Sequence, residues 1–345
     1  MRQSSPRFQR LSLFIAAVMA VMAFSISAVQ ADSKPIVIKF SHVVSPDAPK
    51  GKAAAYFKAL AEERTKGRVV VEIYPNSQLY KDKEEMEALQ LGAVQMLAPS
   101  LAKFGPLGVK EFEIFDLPYI FPSKDVLRAV TEGPVGRALL KKLEPKGIIG
   151  LAYWDNGFKI MSANRPLRTP EDFRGLKMRI QSSKVIDAQF RALGALPQVM
   201  AFSEVYQALL TGVVDGTENP PSNMLTQQMQ DVQKYATVSN HGYLGYAVIV
   251  NRKFWEALPD DIRDTLESAM IETTRYANAI AQSENDTALE ALKASGKIEI
   301  DTLTPSDLAV WRKALLPVHR EMEGRVGKDL LETFYREAAK FGFRN

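Results

Sequence analysis

The stretch Gly175–Phe202, GLKMRIQSSKVIDAQFRALGALPQVMAF, reads as strand, helix and strand. Leu176–Ile180 has the short, mostly apolar character of a strand. Ser182 or Ser183 is a residue of the N-cap type, and the helix it starts runs to Leu193, where Gly194 stops it. Pro197–Phe202 is strand-like again. Arg179 interrupts this pattern. It lies between Met178 and Ile180 near the end of the first strand, and an arginine is seldom buried without a partner. Its residue type leaves two readings open: an internal ion pair, for instance with Glu204 or Glu218, or a grip on an acid from outside.

The same alternation extends toward the N-terminus. Ile36–Phe40 and Arg68–Tyr74 read as strands around a helix that starts near Pro49 and stops at Gly67. That spacing suits a right-handed parallel crossover. KEEMEALQLG is helical to Gly92, VQMLAPS is strand-like, and a helix over 125–143 leads into the strand Gly147–Trp154. The pattern then restarts. Phe158–Asn164 is a strand, and Thr169 caps a small helix that opens on Pro170 and ends at Gly175. Ser203 caps EVYQALLT, and VVDGTENPPSN is a strand followed by a proline-enforced turn.

Tyr235–Asn251 is long enough to cross between two domains, and 259–285 has the character of one long helix. Together these predict an α/β fold of two lobes, hinged by crossing segments. Residues 32–155 with about 245–284 form the first lobe, and 156–244 with about 285–345 form the second.

The first 31 residues read as a secretory signal. Arg2, Arg7 and Arg10 precede the charge-free run Leu11–Phe24, and Val29 and Ala31 are placed for cleavage after Ala31. Removing them leaves 314 residues with 41 basic and 40 acidic side chains. The near balance gives no reason to expect a nucleic-acid partner. There is no cysteine, so stability rests on the core. No later run of 18 apolar residues occurs, and the mature chain is expected outside the membrane, in the periplasm.

Motifs for catalysis are missing. The three histidines, His42, His241 and His319, are far apart, and no HExxH, GxSxG, Walker A or GxGxxG pattern occurs. No enzyme, metal or cofactor is expected. What remains is a set of polar groups at strand ends, where open α/β sheets bind ligands. They are Ser41 and His42, Ser100 with Lys103, Trp154, Asn156 and Lys159, Arg179 and Ser182, Phe202, and Glu218, Asn219 and Asn223. Cations and amides outnumber acids, which suits a small anion. Arg179 is the sharpest, because a guanidinium holds a carboxylate by two parallel hydrogen bonds. Lys103 and Lys159 also suit a solvated surface, His42 and Phe202 a core, and Asn219 an ordered turn.

The run from Gly175 to Asn223 resembles the solute-binding subunit of TRAP transporters, the DctP type. IKFSHVVSPDAPKGKAA, YPNSQLYKDKEEMEALQLGAVQM, FDLPYIF and YATVSNHGYLGYAVIVN extend the resemblance over nearly the whole chain after residue 31. It implies a periplasmic binding protein fold with hinge segments and a long helix spanning both lobes. It implies an organic acid ligand delivered to a permease of one small and one large membrane subunit, driven by an ion gradient. By position, Arg179 resembles the family's carboxylate-gripping arginine, Asn219 its ligand-contacting asparagine, and Phe202 the residue packed on the ligand. Lys159 and Lys103 stand where sialic-acid-binding relatives carry arginines, and Ser182 where they carry an asparagine. His42 and GLKMRIQSS look more like the C4-dicarboxylate branch. The ligand implied is malate, succinate or fumarate, with Arg179, Asn219 and Ser182 on one side. Lys159, Lys103, His42 and Ser100 are candidates for the rest.

Overall fold

The structure, a computed structural model, describes residues 34–343. Residues 1–31, read from the sequence as a signal, lie outside the described residues.

Among the described residues, eleven strands form two sheets. The first has the order β2 (Val69–Tyr74), β1 (Ile36–Ser41), β3 (Met96–Leu97), β10 (Tyr243–Asn251) and β4 (Ile148–Phe158). The second has the order β11 (Glu299–Thr302), β9 (Tyr235–Val238), β5 (Ile160–Ala163), β8 (Gly216–Asn219), β6 (Lys177–Ile180) and β7 (Leu196–Val199). β1 runs parallel to β3, and β6 runs parallel to both β7 and β8. The sheets are nevertheless mixed. β10 is antiparallel to β3 and β4, and β5 is antiparallel to β8 and β9. These reversals occur where the chain changes sheets.

β4 hands over to β5 at Lys159, and β9 hands over to β10 at Ser239–Gly242. The segment 235–251, read as one β-rich run, is thus two strands in two sheets. A third connection is the helix Asp260–Ala294, which extends past the expected end at 285. It packs on helix Pro49–Arg64 and β4 of the first lobe and on helix Pro221–Thr226 of the second.

Several boundaries differ from the sequence reading, each for a local reason. The single helix predicted over 125–143 is two, Lys124–Thr131 and Pro134–Lys141. Pro134 has no N–H to continue the first and is well suited to open the second. Pro221 likewise starts a helix where a turn was read. Ser203 does not cap its helix, because Phe202–Glu204 is a 3₁₀ turn leading into Val205–Leu210. Ser183, not Ser182, caps Lys184–Ala192, its Oγ accepting from the Ile186 N–H. Gly194 adopts a left-handed φ of 75° after that helix.

The core of the first lobe gathers Leu97, Phe112, Phe115, Ile148 and Ile249, and it also includes Leu331 and Phe334. Helices Pro317–Val326 and Lys328–Ala339, read with the second lobe, therefore pack on the first. Phe334 of the second of these helices packs against Phe115 and Phe121. The second sheet is covered on both faces. Met161, Met178 and Ile180 join Trp311 on one. Ile160 joins Phe202, Val214 and Met224 on the other, with Val43 and Val44 of the first lobe.

Candidate functional site

Side chains alternate across a strand, so these two cores assign faces to their polar neighbours. Met178 and Ile180 face Trp311, which turns Arg179 to the face of Ile160 and Phe202. Arg179 is in register with Thr217, and Asn219 is in register with Ile160. Arg179, Thr217, Asn219 and Phe202 thus share one face. Glu218, in register with Met161, takes the other.

Arg179 is 2% exposed and has no carboxylate partner among the described residues. Its Nε and Nη2 both donate to the Met200 carbonyl, at 3.1 and 2.9 Å. The Phe202 ring lies 5.7 Å from the guanidinium carbon. Burial lowers the pKa of Arg179, while Asp82 and Glu218 nearby oppose that shift. The ion-pair alternative is therefore not realised: Glu204 pairs with Lys81, and Glu218 is used elsewhere. On the same face, Asn219 Nδ2 and Thr217 Oγ1 are buried with no hydrogen-bond partner. Buried polar atoms are rarely left unpartnered, and each one calls for an account.

Behind this face, Glu218 accepts from Lys159 Nζ at 2.6 Å on one oxygen and meets His241 Nε2 at 2.7 Å on the other. His241 Nδ1 in turn contacts Ser239 Oγ. Burial pushes the Glu218 carboxyl up, but Lys159 and His241 together hold it down at about 2. Lys159 is therefore a buried internal counter-ion at the lobe crossing, on the opposite face from Arg179.

The first lobe supplies the facing wall. Lys103 Nζ is 3.0 Å from Asp82 Oδ1, both side chains being buried. Ser100 Oγ accepts from Gln181 Nε2 of the second lobe at 2.7 Å. His42 is buried with Nδ1 unpartnered. Burial, then the nearby Lys50 ammonium, push its pKa down to about 3, so it offers a hydrogen bond and no charge. Ser182, half-buried, lines a cleft of about 600 Å³ together with Asp82, Lys103, Met200 and Glu204.

Lys50 was missed in the sequence. It is 1% exposed, donates to the Ala98 carbonyl at 2.9 Å and lies 3.9 Å from the Tyr246 ring centroid. Burial lowers its pKa. One signal was present, since a lysine in the first turn of a helix opposes the helix dipole. Glu85 was missed as well. It is buried with Oε1 unpartnered, and burial followed by Asp82 raises its pKa toward the neutral acid.

Asn156 belongs to the hinge. Its Nδ2 donates to Asn223 Oδ1 at 2.9 Å and to Tyr246 OH, and its Oδ1 accepts from Ser222 Oγ. Trp154 packs in the core, its Nε1 donating to Thr274 of the spanning helix. A larger groove of about 870 Å³ runs along β4 and the spanning helix, past Arg128, Tyr153, Met270 and Arg275. Among the described residues, none that line it carries an unpartnered buried polar atom, so the chemistry concentrates between the lobes. No cluster of three His, Asp or Glu among the described residues has the geometry of a metal site.

Residues 40–325 match the model of the bacterial extracellular solute-binding protein family 7, DctP. The chain belongs to that family. It is 66% identical over 321 residues to the C4-dicarboxylate-binding periplasmic protein DctP of Rhodobacter capsulatus, covering 93% of this chain and 96% of that one. A TRAP periplasmic solute-binding protein of Shewanella oneidensis, solved with bound succinate, superposes with a TM-score of 0.86 at 41% identity, covering 88% of this chain and 99% of that one. One of Pseudomonas aeruginosa, solved with bound L-malate, gives 0.81 at 45% identity, covering 83% and 100%. The two-lobed α/β fold read from the sequence is the fold of these family 7 structures.

Proposed function

We propose that this family 7 chain captures a C4-dicarboxylate (malate, succinate or fumarate) and releases it unchanged to a TRAP permease of two membrane subunits. The carrying observation is a buried arginine with no acid of its own, beside two unpartnered polar groups on the same face. Arg179 holds one carboxylate. Asn219 and Ser182 add hydrogen bonds, and Phe202 packs on the carbon chain. Lys103, joined by Lys50, faces the second carboxylate, with His42 and Ser100 as neutral hydrogen-bonding groups. Lys159 acts from behind, through Glu218 and the strand that carries Asn219.

Charge supports a dianion. Arg179, Lys103 and Lys50 set three cations against the single Asp82 carboxylate, with Glu85 shifted toward its neutral form. Cations therefore outnumber ionised carboxylates at the cleft, which favours an anionic ligand. The ligands of the Shewanella and Pseudomonas proteins, succinate and L-malate, support the same class. Among the described residues no helix is long and apolar enough to cross a membrane. That is compatible with export and cleavage after Ala31.

The test is a calorimetric titration of the chain lacking residues 1–31. Succinate, malate and fumarate are expected to bind, pyruvate to bind weakly and sialic acid not at all. Binding of pyruvate alone refutes the dicarboxylate reading, and conversion of bound succinate during long incubation refutes capture without turnover.

A further inference from the structure

Among the described residues, three polar contacts tie the two lobes beside the cleft, and they are unequal. Lys81 and Glu204 meet at 2.7 Å, but both are about half exposed, and such pairs contribute little. Gln181 and Ser100 are neutral partners. Asp82 differs from both. It is buried in the first lobe, with Oδ1 3.0 Å from Lys103 Nζ. Its Oδ2 accepts the backbone N–H of Phe202 in the second lobe. Two residues before that amide is the Met200 carbonyl, which receives both Arg179 hydrogen bonds.

We infer that Asp82 is an inter-lobe latch, a positioning residue whose carboxylate clamps the Met200–Phe202 segment in the closed form and so sets Arg179 against the ligand. The bond is charged and shielded from water, where charge-assisted hydrogen bonds are strongest. Lys103 keeps the carboxylate ionised against the pull of burial, and Arg179 acts in the same direction. Asp82 needs no contact with the ligand. When the lobes part, its Oδ2 loses the Phe202 amide and the Met200 carbonyl is freed to move. Opening therefore loosens Arg179 in the same step that admits solvent. A dicarboxylate entering the open form is gripped in earnest only once the latch has formed.

Retention is the quantity this device controls. Losing a hydrogen bond to a charged group is expected to raise the dissociation rate about 10- to 100-fold, with association changed less than about threefold. The inference rests on the dicarboxylate reading for its ligand alone. Stopped-flow association and dissociation of succinate are measured for the wild type, Asp82→Asn and Asp82→Ala. Inter-lobe distances are measured on spin-labelled, ligand-free chains in parallel.

Asp82→Asn keeps an acceptor for the amide and is expected to fall between the other two. Asp82→Ala is expected to broaden the distance distribution toward open forms. An unchanged dissociation rate with an unchanged distance distribution overturns the latch. A drop in association rate with dissociation unchanged also overturns it, since that marks a role in ligand entry. If the wild type binds no dicarboxylate, the ligand reading fails, and the distance distributions alone decide the latch.

Discussion

Arg179 has given up an acid partner, and that sacrifice predicts how its variants divide between affinity and stability. Two charge-assisted hydrogen bonds to a carboxylate are worth roughly 1.5–3 kcal/mol each. Lysine presents one ammonium and keeps at most one of them, so Arg179→Lys is expected to weaken succinate binding about 10- to 150-fold. Arg179→Met loses both, about 3–6 kcal/mol. Stability runs the other way. The Met variant leaves the Met200 carbonyl without its two donors, at about 1–3 kcal/mol. It also relieves the burial of a cation, whose cost is several kcal/mol before the attraction of Asp82 and Glu218 is counted. These nearly cancel, and the ligand-free melting temperature is expected to stay within about 4 °C of the wild type. The assay is thermal unfolding with and without succinate at about 100 times the wild-type Kd. The wild type gains about 2.7 kcal/mol from ligand, the Lys variant about 0.3–1.4 and the Met variant almost nothing. A ligand-free Met variant melting 10 °C or more lower, with affinity retained in the Lys variant, would show that Arg179 serves the fold.

Acid titration separates two other buried groups. Glu218 is held at about 2, below its ordinary 4.5, so its stabilisation is complete above pH 4.5 and is lost as pH falls toward 2. Roughly 3 kcal/mol is expected to disappear across that window, and Glu218→Gln removes the dependence when urea unfolding is followed at each pH. His42 is held neutral down to about 3, while the unfolded chain takes up its proton below 6.5. Stability therefore falls by about 1.4 kcal/mol per pH unit for this one proton. Between pH 6 and 4.5, His42→Gln is expected to reduce the measured slope by that amount. At the hinge, a Cβ on Gly157 comes within 2.7 Å of Asn285 Nδ2. Asn285 donates to the Asn156 carbonyl and accepts from the Ser222 N–H. Gly157→Ala is expected to displace that amide and cost about 1–3 kcal/mol in chemical denaturation.

The alternation of strands and helices, the crossing at 235–251 and the spanning helix were legible because each follows from local periodicity and from glycine and proline. What the sequence hid was long-range. Nothing near Lys159 signals that Glu218 and His241, 59 and 82 residues away, meet behind it. The two C-terminal helices show amphipathic stripes, but a stripe does not name the lobe that covers it. In the cleft, Arg179 stood out because a cation between Met178 and Ile180 breaks a strand pattern. Lys50 and Glu85 did not, because a charged residue on a helix is ordinarily solvated. Their burial arises only when helix Pro49–Arg64, the turn at Lys81–Glu84 and β10 close around one small volume.

If Arg179, Lys103 and Lys50 bind the ligand as proposed, the placement of charge predicts that closure answers to a dianion. Arg179 belongs to the second sheet, while Lys103 lies on a 3₁₀ turn and Lys50 on helix Pro49–Arg64, both in the first lobe. A ligand drives closure only through free energy it gains in the closed form and lacks in the open one. A monocarboxylate on Arg179 leaves the two lysines facing each other's field and Asp82, so shutting the cleft strips water from cations and returns nothing. On the proposed binding mode, a dicarboxylate reaches both walls, and the water lost from Lys103 and Lys50 is replaced by its second carboxylate. The excluded water then strengthens each contact. On this reasoning, selectivity lies less in the fit to Arg179, which any carboxylate satisfies, than in the cost of closing over the opposite wall with one charge missing.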